Sequence, residues 1–213
     1  MKSKRFILII LILFLASLAC FGTGTKTPTS DVLFSDDFTD TSKKWDQVSE
    51  TTRTTDYYNS AYRITINDTN SDTWANPGDE SFTDTRIEVD ATKNSGPDDN
   101  DFGVICRYTD VDKFYYGVIS SDGYYAIMKM TSSGGAPIGK DNMAESDQVT
   151  KGAATNHVRF DCVGSILSLY VNGTQVDQQT DTEYTAGNVG LVAGTFSEVG
   201  TDILFDNFFV YRP

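Results

Sequence analysis

The sequence predicts an all-β domain built as a sandwich of two antiparallel sheets, and three observations predict it. Windows with helical spacing of apolar residues are almost missing between residues 31 and 213, whereas period-two alternation of apolar and polar residues recurs there. Turn dipeptides that accept positive φ separate several of the alternating runs. The stretch from Asp31 to Pro213 is long enough for one domain with a sizeable core, and it contains no linker-like segment.

The chain opens on the basic residues Met1-Lys2-Ser3-Lys4-Arg5, and the uncharged apolar run from Phe6 to Leu18 follows. That run is too short to cross a bilayer comfortably as a permanent helix, so residues 1–19 read as a cleaved signal peptide. Ala16-Ser17-Leu18-Ala19-Cys20 resembles the lipobox of bacterial lipoproteins, although Ser17 departs from the usual Leu three residues before the cysteine. The resemblance implies a diacylated Cys20 and a membrane partner reached through the lipid alone. Residues 20–30, rich in Gly, Thr, Pro and Ser, then form a flexible tether. Phe21, rather than Asp, follows the cysteine, which points to the outer membrane or the cell surface. The expected location is therefore the extracytoplasmic cell envelope.

The formal net charge is -13, and loss of Lys2, Lys4 and Arg5 with the leader makes the remainder more acidic still. Nucleic acid and anionic lipid head groups are poor partners for such a surface. Its two readings are a solvated extracellular surface and divalent-cation binding.

Within the domain, Tyr62, Ile64 and Ile66 share one strand face, as do Ile87, Val89 and Ala91, with Arg86, Glu88 and Asp90 turned to water. Further strands are expected over 102–108, 114–119, 124–130, 157–163, 166–171, 188–193 and 202–211, in a total of about a dozen. Asp122-Gly123, Asn172-Gly173 and Gly164-Ser165 are the turns between three pairs of them. The acid-rich segments Asp68 to Asp72 and Pro97 to Asp101 read as polar turns; the first lacks the Gly and the flanking helices of an EF-hand loop.

The order Leu33-Phe34-Ser35-Asp36-Asp37-Phe38, Trp45, Phe102-Gly103-Val104-Ile105-Cys106-Arg107-Tyr108, Phe114-Tyr115-Tyr116 and Asp122-Gly123-Tyr124-Tyr125 resembles a concanavalin A-like lectin/glucanase domain. Leu169-Tyr170-Val171-Asn172-Gly173, Gly187-Asn188-Val189-Gly190-Leu191 and Phe205-Asp206-Asn207-Phe208 are similar to the late strands of that superfamily, including its LamG and 3-keto-disaccharide hydrolase-like branches. The resemblance covers nearly all of residues 31–213 and implies a jelly roll of two curved antiparallel sheets. As evidence of function it is weaker, because one fold hosts many activities.

With Cys20 assigned to lipid, Cys106 and Cys162 remain in an oxidising compartment. Cys106 shares a face with Phe102, Val104 and Tyr108, and Cys162 with Val158 and Phe160, so both point inward and are expected to pair. The alternative is two free buried thiols acting as small hydrophobes.

No catalytic set stands out. His157 is the only histidine and reads as a partly exposed residue near a strand start, which leaves no His-based triad and no usual zinc site. The related glucanases carry Glu-x-Asp-x-(x)-Glu on one strand; Glu88-Val89-Asp90-Ala91-Thr92-Lys93 lacks the last Glu, so this segment reads as a solvent face. Some relatives hold a structural calcium through an aspartate of the last strand, which Asp206 matches by position. Asp206 also shares parity with Leu204, Phe208 and Val210, and an inward carboxylate needs a cation or donors, although Phe205 and Phe209 make the opposite face apolar too.

Sugar binding needs aromatic platforms and polar groups on one open sheet. Adjacent strand residues face opposite ways, so one member of each pair Tyr57-Tyr58, Tyr115-Tyr116 and Tyr124-Tyr125 lies outside the core. Tyr116, Tyr125, an outward Arg107 opposite Cys106, and Trp74 on a loop are the candidate glycan contacts. The reading is a surface-tethered, non-catalytic carbohydrate-binding or adhesion module. Its competitors are an enzyme of the hydrolase-like branch and a structural or sensory envelope protein without a sugar ligand.

Overall fold

The computed structural model describes residues 31–213; the expected signal peptide, Cys20 and the tether lie outside them. The described residues form sixteen strands. In chain order the first eight are β1 (Val32–Asp36), β2 (Val48–Ser49), β3 (Arg53–Tyr57), β4 (Tyr62–Ile66), β5 (Ser71–Ala75), β6 (Thr85–Ser95), β7 (Asn100–Asp110) and β8 (Lys113–Ile119). They are followed by β9 (Tyr124–Thr131), β10 (Gly134–Pro137), β11 (Ala144–Glu145), β12 (Thr155–Val163), β13 (Ile166–Val171), β14 (Thr174–Thr180), β15 (Asn188–Thr195) and β16 (Thr201–Tyr211).

Sheet I has the order β14-β13-β12-β6-β16-β4-β3-β2, with β1 also pairing β16; sheet II has the order β10-β9-β8-β7-β15-β5, with β11 also pairing β9. Every strand pair among the described residues is antiparallel, so the fold is the two-sheet sandwich that the alternation predicts, with the jelly-roll architecture that the resemblance implies. Of the three expected turns, only Asn172-Gly173 has positive φ at both residues, 50° and 85°. At the other two it is the glycine alone, Gly123 or Gly164, that enters this region.

Alternation builds the core between the sheets. Sheet I contributes Tyr62, Ile64, Ile66, Ile87, Val89, Ala91, Val158, Phe160, Leu167, Leu169, Ile203 and Phe205, all fully buried. Sheet II contributes Phe102, Val104, Tyr115, Ile119, Ile127, Leu191 and Ala193 to the same cluster. Cys106 of β7 and Cys162 of β12 are bridged across the two layers. At one margin Phe34, Phe38, Trp45, Tyr62 and Phe208 pack edge to face or tilted. Trp45 Nε1 donates there to Asp36 at 2.9 Å, so the buried indole N–H is satisfied.

Sheet II is apolar on its outer face as well. Ile105, Phe114, Tyr116, Val118, Ala126, Met130 and Val192 form a second buried cluster, against which Trp74, Tyr108, Met128 and Met143 pack. The solvent-side alternation seen in β6 is therefore absent from β7 and β8.

Two bulges change strand parity. In β7, Arg107 adopts φ 56° and the register shifts between Cys106 and Asp110. Tyr108, expected beside Cys106 in the core, consequently lies in the outer cluster. In β16, Asn207 adopts φ 54° and the register shifts between Asp206 and Phe209. Ile203 and Phe205 before that bulge and Phe208 and Val210 after it all face inward.

Candidate functional site

The bulges relocate two predicted site residues. Arg107 does not project outward: it is 2% exposed, and its guanidinium donates to the carbonyls of Thr83 (3.2 Å), Tyr184 (2.9 Å) and Gly164 (2.7 Å) and to the Asp84 carboxylate (3.4 Å). Burial holds its pKa below the usual arginine value, partly offset by Asp84. Asp206 likewise does not share the inward face of Phe208 and Val210, because the Asn207 bulge lies between them. Its carboxylate accepts from the Asn207 N–H, which removes the inward-facing argument for a metal there.

The aromatic candidates divide. Trp74 lies on β5 rather than on a loop, half-buried on the outer face of sheet II, with its ring 5.3 Å from that of Phe114. Tyr116 is on the same face, as parity predicts, but is 1% exposed. Tyr125 packs against the inner core with Lys140 over its ring, and its neighbour Tyr124 is the outer residue, 37% exposed. His157 and the Glu88 and Asp90 carboxylates occupy the outer face of sheet I, with His157 Nδ1 2.8 Å from Asp90.

A feature missed by sequence reasoning lies at one end of the outer face of sheet II. Gly194 of β15 is register partner to Asp72 of β5 on one side and to Asp101 of β7 on the other. Both carboxylates lean over the glycine: a Cβ at that position would stand 2.0 Å from Asp101 Oδ1 and 2.5 Å from Asp72 Oδ1. Asp101 is 6% exposed, and among the described residues no side chain or N–H donates to either carboxylate. Burial, and for Asp101 also the charge of Asp72, pushes both carboxyl pKa values up. The two acid-rich segments expected to be turns thus supply strand residues. The available signal was the alternation Asp72-Thr73-Trp74-Ala75, whose Thr73 and Ala75 are buried inward.

Beside the pair is a hollow of about 520 Å³ lined by Asp99, Ser120, Asp122, Tyr124, Asn142, Met143 and Phe196. Ser120 lies one step beyond the Phe102–Ile119 pair, which places it in the cross-strand row of Asp101. A second hollow, about 310 Å³ on the outer face of sheet I, contains Tyr58, Arg63 and Asp202. There, however, the carboxylate is already occupied. Asp202 takes a bidentate pair from Arg63 at 2.8 and 2.7 Å, and further bonds from Asn94 and Ser95. A ligand would have to displace these bonds, whereas Asp72 and Asp101 have acceptor capacity to offer.

No protein-family model matches the chain, and no curated protein matches it. Solved structures do. A carbohydrate-binding module, CBM66 from Bacillus subtilis, superposes with a TM-score of 0.62 at 15% identity, over 78% of this chain and 94% of the module. A Bacillus subtilis protein of unknown function with a galectin-like fold gives 0.61 at 11% identity, over 85% and 96% of the two chains. A Bacillus licheniformis β-glucanase gives 0.59 at 12% identity, over 87% and 99%. At these identities the likeness is one of fold.

Proposed function

We propose that this chain is an extracytoplasmic, lipid-anchored module that binds carbohydrate without cleaving it, through the outer face of sheet II. The observation that carries this reading is a set of acceptors without internal donors, Asp72 and Asp101, on the same outer sheet face as half-buried Trp74 and as exposed Tyr124, which lines a hollow of about 520 Å³. Sugar hydroxyls supply the missing donors, and the rings supply stacking surface. That similar folds include a carbohydrate-binding module and a glucanase supports the same reading.

The acid pair is also what favours the competing hydrolase reading. Glycoside hydrolysis keeps its two carboxyl groups about 5 Å or more apart so that the scissile bond or a water fits between them. Here one oxygen of each lies within 2.5 Å of a single point over Gly194, and recovery of the ligand intact or shortened decides between the two readings.

The position suits a tethered binder. Val32 of β1 pairs with Tyr211, at the end of β16, whereas Gly194 precedes the short connection into the start of β16 at Thr201. An eleven-residue strand at about 3.3 Å per residue separates the two ends. The site therefore faces away from where the N-terminal segment joins.

The test is a glycan array followed by calorimetry on the hits, with chromatography of the ligand afterwards. A stacked aromatic contributes on the order of 2 kcal/mol, so Trp74→Ala or Tyr124→Ala should weaken binding tens-fold, with the ligand recovered intact. Equal affinity in wild type and both variants would reject the site; shortened ligand would establish the enzyme instead.

A further inference from the structure

We propose that the end of the sandwich at which the chain enters, at Asp31, rests on the lipid bilayer, with the exposed apolar side chains of Val32, Leu33, Val163 and Ile166 dipping into its interfacial layer. The inference rests on the lipid anchor of the proposed function and adds a contact made by the protein itself.

Three observations carry it. The first is segregation. Of the eight large hydrophobic side chains exposed among the described residues, these four gather at one end of sheet I. Val32 pairs with Tyr211, Tyr211 with Arg86, and Arg86 with Asp161, two residues before Val163, which pairs in turn with Ile166. Leu33 and Val163 also line a hollow of about 500 Å³ together with Phe82 and Pro213, so the patch is continuous. An exposed apolar cluster of this kind marks a contact surface.

The second is rigidity. Val163 and Ile166 flank the turn Gly164-Ser165, whose backbone is held at three points. The Gly164 N–H donates to Asp84 at 2.8 Å, its carbonyl accepts from Arg107 at 2.7 Å, and the Ser165 carbonyl accepts from the Asp181 N–H at 3.0 Å. The two side chains are thus presented in a fixed pose, and burying them needs little further ordering.

The third is position, which identifies the partner. Residues 21–30 separate the anchoring Cys20 from Asp31, and even fully extended they span no more than about 36 Å. A bilayer held so near is at high effective concentration, so a patch too small to bind membranes alone suffices. Charge agrees with this. The chain carries a net charge of -13, yet at this end Arg212 faces Asp31 and Arg86 faces Glu88, which leaves a balanced surface suited to zwitterionic head groups.

The experiment reconstitutes the full lipid-modified chain on phosphatidylcholine vesicles, with and without bromine in the acyl chains as a contact quencher of tryptophan. Ile166→Trp places a reporter in the patch, and Val199→Trp places one on the exposed connection into β16, at the opposite end. The emission added by Ile166→Trp should be quenched several-fold more strongly than that added by Val199→Trp. Val163→Asp in the same chain should bring it down to the level seen with Val199→Trp and leave the melting temperature almost unchanged, since both positions are exposed. Equal quenching of the two reporters on vesicles that carry the protein would overturn the contact and leave the anchor standing. A chain whose Cys20 bears no acyl group would remove anchor and contact together. Ile166→Trp emission that shifts to the blue with protein concentration in the unacylated Cys20→Ser protein, without vesicles, would show that a second copy covers the patch instead, and would overturn it as well.

Discussion

Replacing Arg107 separates two roles for this side chain that differ several-fold in energy. On an open ligand face, its loss would move stability by no more than about 0.5 kcal/mol. In the structure it is buried and satisfies the carbonyls of Thr83, Tyr184 and Gly164, three segments that meet around its guanidinium. Truncation to Ala removes the donor from all three acceptors at once; the Tyr184 carbonyl is left buried while Thr83 and Gly164 lie in exposed residues that water can reach, and each such loss costs about 1–3 kcal/mol. Taking the low end for each, because water will reach some of them, Arg107→Ala should lower the unfolding free energy by about 3 kcal/mol. For a domain of this size that corresponds to a fall in melting temperature of about 10 °C. Arg107→Lys should recover little, because one ammonium cannot serve acceptors spread around a planar fork. Urea denaturation followed by tryptophan fluorescence gives the number. A loss below about 1 kcal/mol, or full rescue by Lys, would refute the keystone role.

Two further predictions concern the acidic limb of stability and the N-terminus. Burial would raise the Asp202 carboxyl, but the bonds from Arg63, Asn94 and Ser95 outweigh it and hold the folded pKa below the ordinary value. A depressed carboxylate contributes stability above its unfolded pKa of about 4 and loses it as pH falls further, so Asp202→Asn should flatten the acid side of the stability curve. An identical acid limb in the variant would show that the pair contributes nothing. For the anchor, Cys20→Ser should abolish metabolic lipid labelling and release the protein from membranes in cells that process lipoproteins; persistent labelling would sink the lipoprotein assignment.

The parts of the fold that sequence makes legible are those where one face is wet. β4, β6 and β12 alternate cleanly because their outer faces meet solvent, and their inward residues were assignable by counting in twos. Edge strands were missed for the opposite reason. β14, Thr-Gln-Val-Asp-Gln-Gln-Thr, carries little apolar signal because only one of its edges is paired, and β5 begins inside an acid-rich run that resembles a turn. Site residues failed at the bulges. Counting in twos places Arg107 outside and Asp206 inside, and a single left-handed residue in each strand reverses the count. Asn207 is a residue type that tolerates this conformation, so some warning existed; an arginine at φ 56° gives none. The acid pair was out of reach altogether, since its members are 29 positions apart in sequence and meet only because a third strand separates them with a glycine.

The Cys106–Cys162 bridge has a mechanical side. A molecule held at its N-terminus while sheet II grips a surface polymer is under tension whenever the two are pulled apart. On the proposed function the load would enter at β1, in sheet I, and leave through β5, β7 and β15, in sheet II. Without a cross-link, such a chain can lengthen by unravelling strand after strand. The bridge closes a loop spanning 56 positions that contains β8 to β11, and at about 3.5 Å per residue this withholds roughly 200 Å of contour from extension. Under force the oxidised protein would therefore behave as a short leash and the reduced one as a long one, with the same ligand face at the end of each.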